Sequence, residues 1–206
     1  YSTRKARQNE TILSGDFADD DIVTGEGGTL AIANNTENAH HVLTTYNGAT
    51  QIVLKGFTIK GGNAIGASNT NGGGINAYMS TSLEITDCNI KHNSATNGAG
   101  VYFNLSSPLV FNNNYFDRNL ATTNGGAIYI AESSVVFRNN VFAGNRASTG
   151  VGGAVRNDLY FGEFYNNTFY KNSAQTSGGA LFTYDPGIAG APIDINRSYN
   201  NIFYKN

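Results

Sequence analysis

The feature that most constrains this chain is a repeat. Glycine-rich openings precede Ile75, Val101, Ile128, Val155 and Leu181, as in Gly73-Gly74-Ile75 and Gly126-Ala127-Ile128, and these apolar residues stand 26, 27, 27 and 26 apart. A second series runs in parallel. Asn93, Asn119, Asn145 and Asn172 follow at intervals of 26, 26 and 27, with Ile90, Phe116, Phe142 and Phe169 three residues before them and Cys88, Asn114, Asn140 and Asn167 five before. Leu54 to Asn63 (LKGFTIKGGN) fits with one inserted residue, and Tyr199 to Asn206 (YNNIFYKN) fits after an interval of 34. The repeat covers residues 50–206.

This period is too short for helical-hairpin repeats of roughly 33 to 47 residues, and the segments are rich in Phe, Tyr, Ile, Val, Thr and Asn, which suit strands and turns. In Leu109-Val110-Phe111 the outer residues share one face; Asn114 and Phe116 are the next inward pair, so a turn lies between. A Gly-Gly start, a strand, an Asn-Asn corner, another strand and an Asn-Ser-Ala corner make a three-sided coil. Coils stacked at about 4.8 Å form an all-β fold, a single parallel β-helix of about seven coils. Parallel crossovers prefer the right hand, which makes the helix right-handed. Repeated residues then stack on themselves. Inward asparagines at 93, 119, 145 and 172, and at 114, 140 and 167, are expected to bond the amides of the coils above and below. Only 14% of the residues are charged and 29 are Asn. Stacked amides satisfy one another, whereas stacked like charges repel.

A net charge of -2 leaves no basic stripe for phosphates, so nucleic acid is excluded as a partner. No apolar run approaches the roughly 18 residues of a membrane span, so no transmembrane segment is expected. One cysteine, Cys88, excludes an internal disulfide framework and a Cys-rich zinc site. Residues 1–49 read as an N-terminal cap or irregular first coils, with Thr11-Ile12-Leu13 and Leu30-Ala31-Ile32 as strand candidates. At the other end the pattern stops at Asn206, and further coils of the same chain or other subunits are expected to cover that end. The turn-rich stretch from Tyr184 to Pro192 interrupts the last interval and is expected to project as a loop, a place for partner contacts.

The pattern Gly125-Gly126-Ala127-Ile128 followed by Phe142-Ala143-Gly144-Asn145 resembles the repeats of chlamydial polymorphic outer-membrane proteins. Thr11 to Asp16 (TILSGD), His40-His41-Val42, and Leu54 to Asn63 followed by the glycine-rich coils are similar to right-handed parallel β-helix proteins secreted by Bacteroidota and related bacteria. The resemblance covers nearly the whole chain and rests on coil-building residues, so it implies a fold more sharply than an activity. It implies a secreted or cell-surface location, within a large adhesin-like protein, and places His41-Val42 in a strand opening the first coil.

Four features invite a chemical reading. The cluster Asp16, Asp19, Asp20 and Asp21 offers oxygen ligands for Ca²⁺, against the alternative of a solvated loop whose aspartates cap turns; no cofactor is required. Tyr78, Tyr102 and Tyr129, with Tyr160, follow the glycine corners and, if outward, make an aromatic strip able to contact glycans. A β-helix lyase needs a Lys or Arg base; Lys91, Arg118, Arg146 and Lys171 lie near one corner, with His92 adjacent. A hydrolase needs converging carboxylates, and Glu84, Asp117, Glu132, Asp158 and Glu163 are scattered. Asp117 is expected to pair with Lys91 or Arg118, and Cys88 is a small residue in a ladder position. No catalytic residue is assigned. The reading favoured is a non-catalytic extracellular structural or adhesin-like module that contacts glycans. The alternatives are a polysaccharide lyase or hydrolase and a component of a filament or tailspike.

Overall fold

The computed structural model describes residues 10–46, 51–66, 68, 70–78, 82–104, 109–158, 161–184 and 196–206. Within them the chain winds as a parallel β-solenoid. One sheet has seven strands: Thr11–Ser14, Phe57–Lys60, Asn89–Lys91, Tyr115–Asp117, Val141–Ala143, Thr168–Tyr170 and Ile202–Tyr204. We call it the phenylalanine sheet. The tyrosine sheet contains Leu43–Tyr46, Ile75–Tyr78, Val101–Asn104, Ile128–Ala131, Val155–Asp158 and Leu181–Tyr184. A third sheet contains Ile52–Lys55, Leu83–Thr86, Leu109–Asn112, Val135–Arg138, Gly162–Tyr165 and Arg197–Tyr199. Each coil visits the tyrosine, third and phenylalanine sheets in that order.

Two expectations change in detail. The Asn-Ser-Ala corner is itself a strand, because Ser94–Asn97, Leu120–Asn124, Arg146–Ala147 and Ser173–Ala174 pair as a fourth, short sheet. Four coils carry all four strands and the end coils are incomplete, so the solenoid makes about five turns rather than about seven. The shortfall lies in the N-terminal segment, which supplies one rung strand, Thr11–Ser14, and then leaves the coil path.

The core follows from register. Phe116 pairs with Phe142 and Phe142 with Phe169, and their rings stack at 4.7 and 4.8 Å, the spacing of adjacent strands. Phe111, Phe137 and Phe164 stack alongside at 4.8 and 5.0 Å. Beneath the short sheet the walls approach closely and the filling is Ala64, Ala95, Ala99 and Ala121. A Cβ on Gly126 would meet the Gly153 carbonyl oxygen at 2.0 Å, which is why that opening is glycine.

Asparagines tie the corners together. The Asn114 backbone N–H and Nδ2 both donate to Asn140 Oδ1, Asn140 does the same to Asn167, and Asn119 to Asn145. Each Nδ2 also reaches a carbonyl one coil back, as Asn140 does to Phe111 at 3.0 Å. The first rung of the other ladder is Gly62 rather than Asn63: its N–H donates to Asn93 Oδ1 at 3.0 Å. Outside the core, Asn124 donates to Asn97 and Asn97 to Asn71, a third series at the end of the short sheet, where the chain turns toward the tyrosine sheet.

Residues after Ser14 run along the solenoid. Ile22–Thr24 and Ala31–Ala33 form an antiparallel ribbon with a 3-10 turn, Gly27–Thr29, at its tip. Asn35 at the base accepts from Asn63 Nδ2, while at the tip Gly27 N–H donates to the Gly144 carbonyl and Arg146 donates to that of Leu30. Leu30 is 1% exposed. At the far end of the solenoid, Tyr184, Tyr199, Ile202, Phe203 and Tyr204 are exposed. The stretch 185–192, where a projecting loop is expected, lies outside the described residues, as do 1–9 and 47–49 of the N-terminal segment.

Candidate functional site

The outer face of the tyrosine sheet carries two columns. Register places Thr44, Asn76, Tyr102, Tyr129, Arg156 and Phe182 in one, and Tyr46, Tyr78, Asn104, Ala131, Asp158 and Tyr184 in the other. The expected strip of Tyr78, Tyr102 and Tyr129 is therefore split between them. Tyr102 meets Tyr129 edge to face at 5.5 Å, and Tyr78 stacks on Tyr46, which sequence reasoning missed, at 5.7 Å and 16°. Tyr160 lies outside the described residues. Both Tyr46 and Tyr78 are offset by two residues from the glycine-anchored position, so only strand register could pair them.

These side chains line a groove of about 360 Å³ formed by Tyr46, Asn71, Asn76, Tyr78, Tyr102 and Asn104, closed by Thr44 and Thr45. Among the described residues its lining holds aromatic rings, amides and hydroxyls and no charged group. Tyr102 accepts from Asn104 Nδ2 at 3.3 Å, and burial raises its phenol above the ordinary tyrosine range. Beyond it, Tyr129 donates to Asp158 Oδ2 at 2.8 Å while Arg156, 4.9 Å above the Tyr129 ring, also binds Asp158. Burial and that hydrogen bond to an anion push the Tyr129 phenol far up.

The basic residues do not form one column. Positive φ brings His92 (55°), Arg118 (46°) and Lys171 (51°) to equivalent corners, with Gly144 between the last two. Lys91 belongs to the adjoining strand, paired with Asp117, and Arg146 pairs with Leu120 in the short sheet. Asp117 takes Arg118 rather than Lys91: Arg118 Nη2 is 2.8 Å from Asp117 Oδ2, and His92 Nε2 is 3.6 Å from the same oxygen. Burial pushes the Asp117 carboxyl up, but His92 and Arg118 outweigh it and hold the group below the usual carboxylate range. Lys171 is ion-paired with Glu26 of the ribbon. Glu26 was not foreseen at this corner, because the ribbon has no repeat to register it.

The acidic cluster disperses. Asp16 and Asp20 meet Glu37, with one carboxylate oxygen of each within 4.8 Å of the others; these are the carboxylates a Ca²⁺ ion would find together. Asp19 pairs with Lys60 at 3.0 Å, and Asp21 accepts from Asn38 at 3.0 and 3.2 Å. Asp16 also accepts the backbone N–H groups of Asp20 and Asp21, the work of a turn-capping aspartate. Burial, opposed by Asn38 and reinforced by Asp16, Glu37 and Asp20, raises the Asp21 carboxyl. His41 and Val42 precede the first strand of the tyrosine sheet rather than lying in it, and His41 Nδ1 is 2.9 Å from the Gly72 carbonyl oxygen. Cys88 is 1% exposed; its N–H donates to Asn114 Oδ1, and its single S–H is within reach of both the Thr86 and Leu54 carbonyls.

A stack of parallel coils with asparagine corners defines the class. The family model of the right-handed β-helix region matches residues 16–174, more than half of the chain, and the chain belongs to that family. Residues 168–184 also match the repeat of Chlamydia polymorphic membrane proteins. No curated protein and no solved structure matches the chain.

Proposed function

We propose that this chain is a non-catalytic, surface-displayed, adhesin-like module that contacts neutral glycans along the tyrosine groove. The observation that carries this reading is the groove itself. Stacked Tyr46 and Tyr78 offer aromatic surface for the C–H face of a sugar, and Asn71, Asn76 and Asn104 add amides for its hydroxyls. The absence of charge among the described lining residues favours neutral over uronate sugars. The match to the Chlamydia polymorphic membrane protein repeat supports display at a cell surface. Binding suits the basic corner better than turnover, since Arg118 and Lys171 each hold a carboxylate and neither is a free base.

The test is retention of the protein on immobilised neutral polysaccharides, with Tyr78→Ala as comparison. Retention by the wild type that is weakened in Tyr78→Ala, with an unchanged melting curve, supports the reading. Equal retention of both proteins, or of neither, removes the groove from it.

A further inference from the structure

We propose a second ligand site on a different face: the notch floored by Ala143 on the outer side of the phenylalanine sheet takes a single neutral pyranose ring. Register sets the notch. In the column Lys91, Asp117, Ala143, Tyr170, the methyl group of Ala143 stands between two larger side chains. Asp117 and Tyr170 lie two rises of about 4.8 Å apart, which leaves room for a ring between them. Tyr115, 40% exposed, forms a side wall, and Gly25 and Glu26 of the N-terminal ribbon close the opposite side of a space of about 470 Å³.

The polar groups of this notch are held at one end and open at the other. Asp117 receives His92 and both Arg118 contacts on Oδ2 alone. Arg118 uses Nε and Nη2 for them. Asp117 Oδ1 and Arg118 Nη1 take no part in this pair, which leaves one acceptor and one donor of the notch for a ligand. An acceptor and a donor in one notch, with the rings of Tyr115 and Tyr170 as walls, suit a sugar, whose hydroxyls both give and receive protons and whose C–H face packs on aromatic surface. Asp117 balances Arg118 and Glu26 balances Lys171, so the notch suits a neutral polyol better than an ion. The Asp117 carboxyl, held below the usual carboxylate range by His92 and Arg118 against its burial, is not prepared to act as a general acid, so the notch binds without cleaving.

The choice of ligand class rests on the glycan reading; the position does not, because the tyrosine groove lies on another sheet. The experiment is saturation-transfer NMR with methyl pyranosides of the gluco, galacto and manno series and with methyl uronides, on the wild type, Ala143→Leu and Tyr78→Ala. Ala143→Leu fills the notch from an outward position. We expect transfer to at least one neutral pyranoside, weakened about tenfold in affinity by Ala143→Leu and unchanged by Tyr78→Ala. Asp117→Asn, checked by its melting curve, is expected to weaken the same sugar by a similar factor. Transfer insensitive to Ala143→Leu, transfer only to uronides, or no transfer to any of these probes overturns the proposal.

Discussion

Asn140 Oδ1 accepts two hydrogen bonds from Asn114, one from the backbone N–H at 2.9 Å and one from Nδ2 at 3.0 Å. The same amide donates to Phe111 and Asn167, so one side chain joins three coils. Asn140→Leu leaves the Asn114 donors and the Phe111 acceptor without this partner in a buried site. We expect a loss of about 3 kcal/mol or more, read as a lower denaturant midpoint. Asn139→Ala, at the exposed neighbour, is expected to cost about 1 kcal/mol, because its positive φ of 56° disfavours a Cβ without a compensating amide.

Cys88 stands where the later coils place Asn114 and Asn140, and its thiol reaches the Leu54 carbonyl as Asn114 Nδ2 reaches that of Ile85. A sulfur donor is the weaker of the two. Cys88→Asn extends the ladder by one rung and is expected to raise the melting temperature by about 2 to 4 °C.

The ribbon couples coils that otherwise contact only their neighbours. Leu30→Asp places a charge where the side chain is 1% exposed. We expect faster amide exchange at Gly27 and Leu30, whose N–H groups are bonded at the ribbon tip, and no change at Phe116 and Phe142 in the core. Equal acceleration in ribbon and core would mean that the ribbon does not open separately.

Two of the shifted groups lend themselves to a test of pH dependence. The Asp117 pKa is lowered in the fold, so its contribution is present above the unfolded value of about 3.9 and is lost as pH falls through the folded one. The Tyr129 pKa is raised, so its contribution is present below about pH 10 and is lost as pH rises toward the folded value. Melting curves from acid to alkaline pH are expected to show a shallower acid limb in Asp117→Asn and a shallower alkaline limb in Tyr129→Phe.

Much of the solenoid is readable in the sequence because each coil repeats the same packing problem: Phe116, Phe142 and Phe169 share one environment and hence one residue. The intervals of 26 and 27 between Asn71, Asn97 and Asn124 carry the third series equally openly. What repetition does not cover was not legible. Glu26 and Glu37 lie in a segment without a period, and their partners Lys171 and Asp16 are set by where the ribbon lands. The groove depends on Tyr46 and Tyr78 being in register, whereas the sequence pattern aligned Tyr78 with Tyr102.

The most direct test of the central claim is incubation with a panel of neutral and uronate-containing polysaccharides, with and without Ca²⁺, recording retention and ultraviolet absorbance in the same samples. The account predicts retention on a neutral polysaccharide, weakened in Tyr78→Ala, and no new absorbance in any sample. New absorbance from a uronate polymer, abolished by Lys91→Ala or Arg118→Ala, would contradict it and make the protein a lyase.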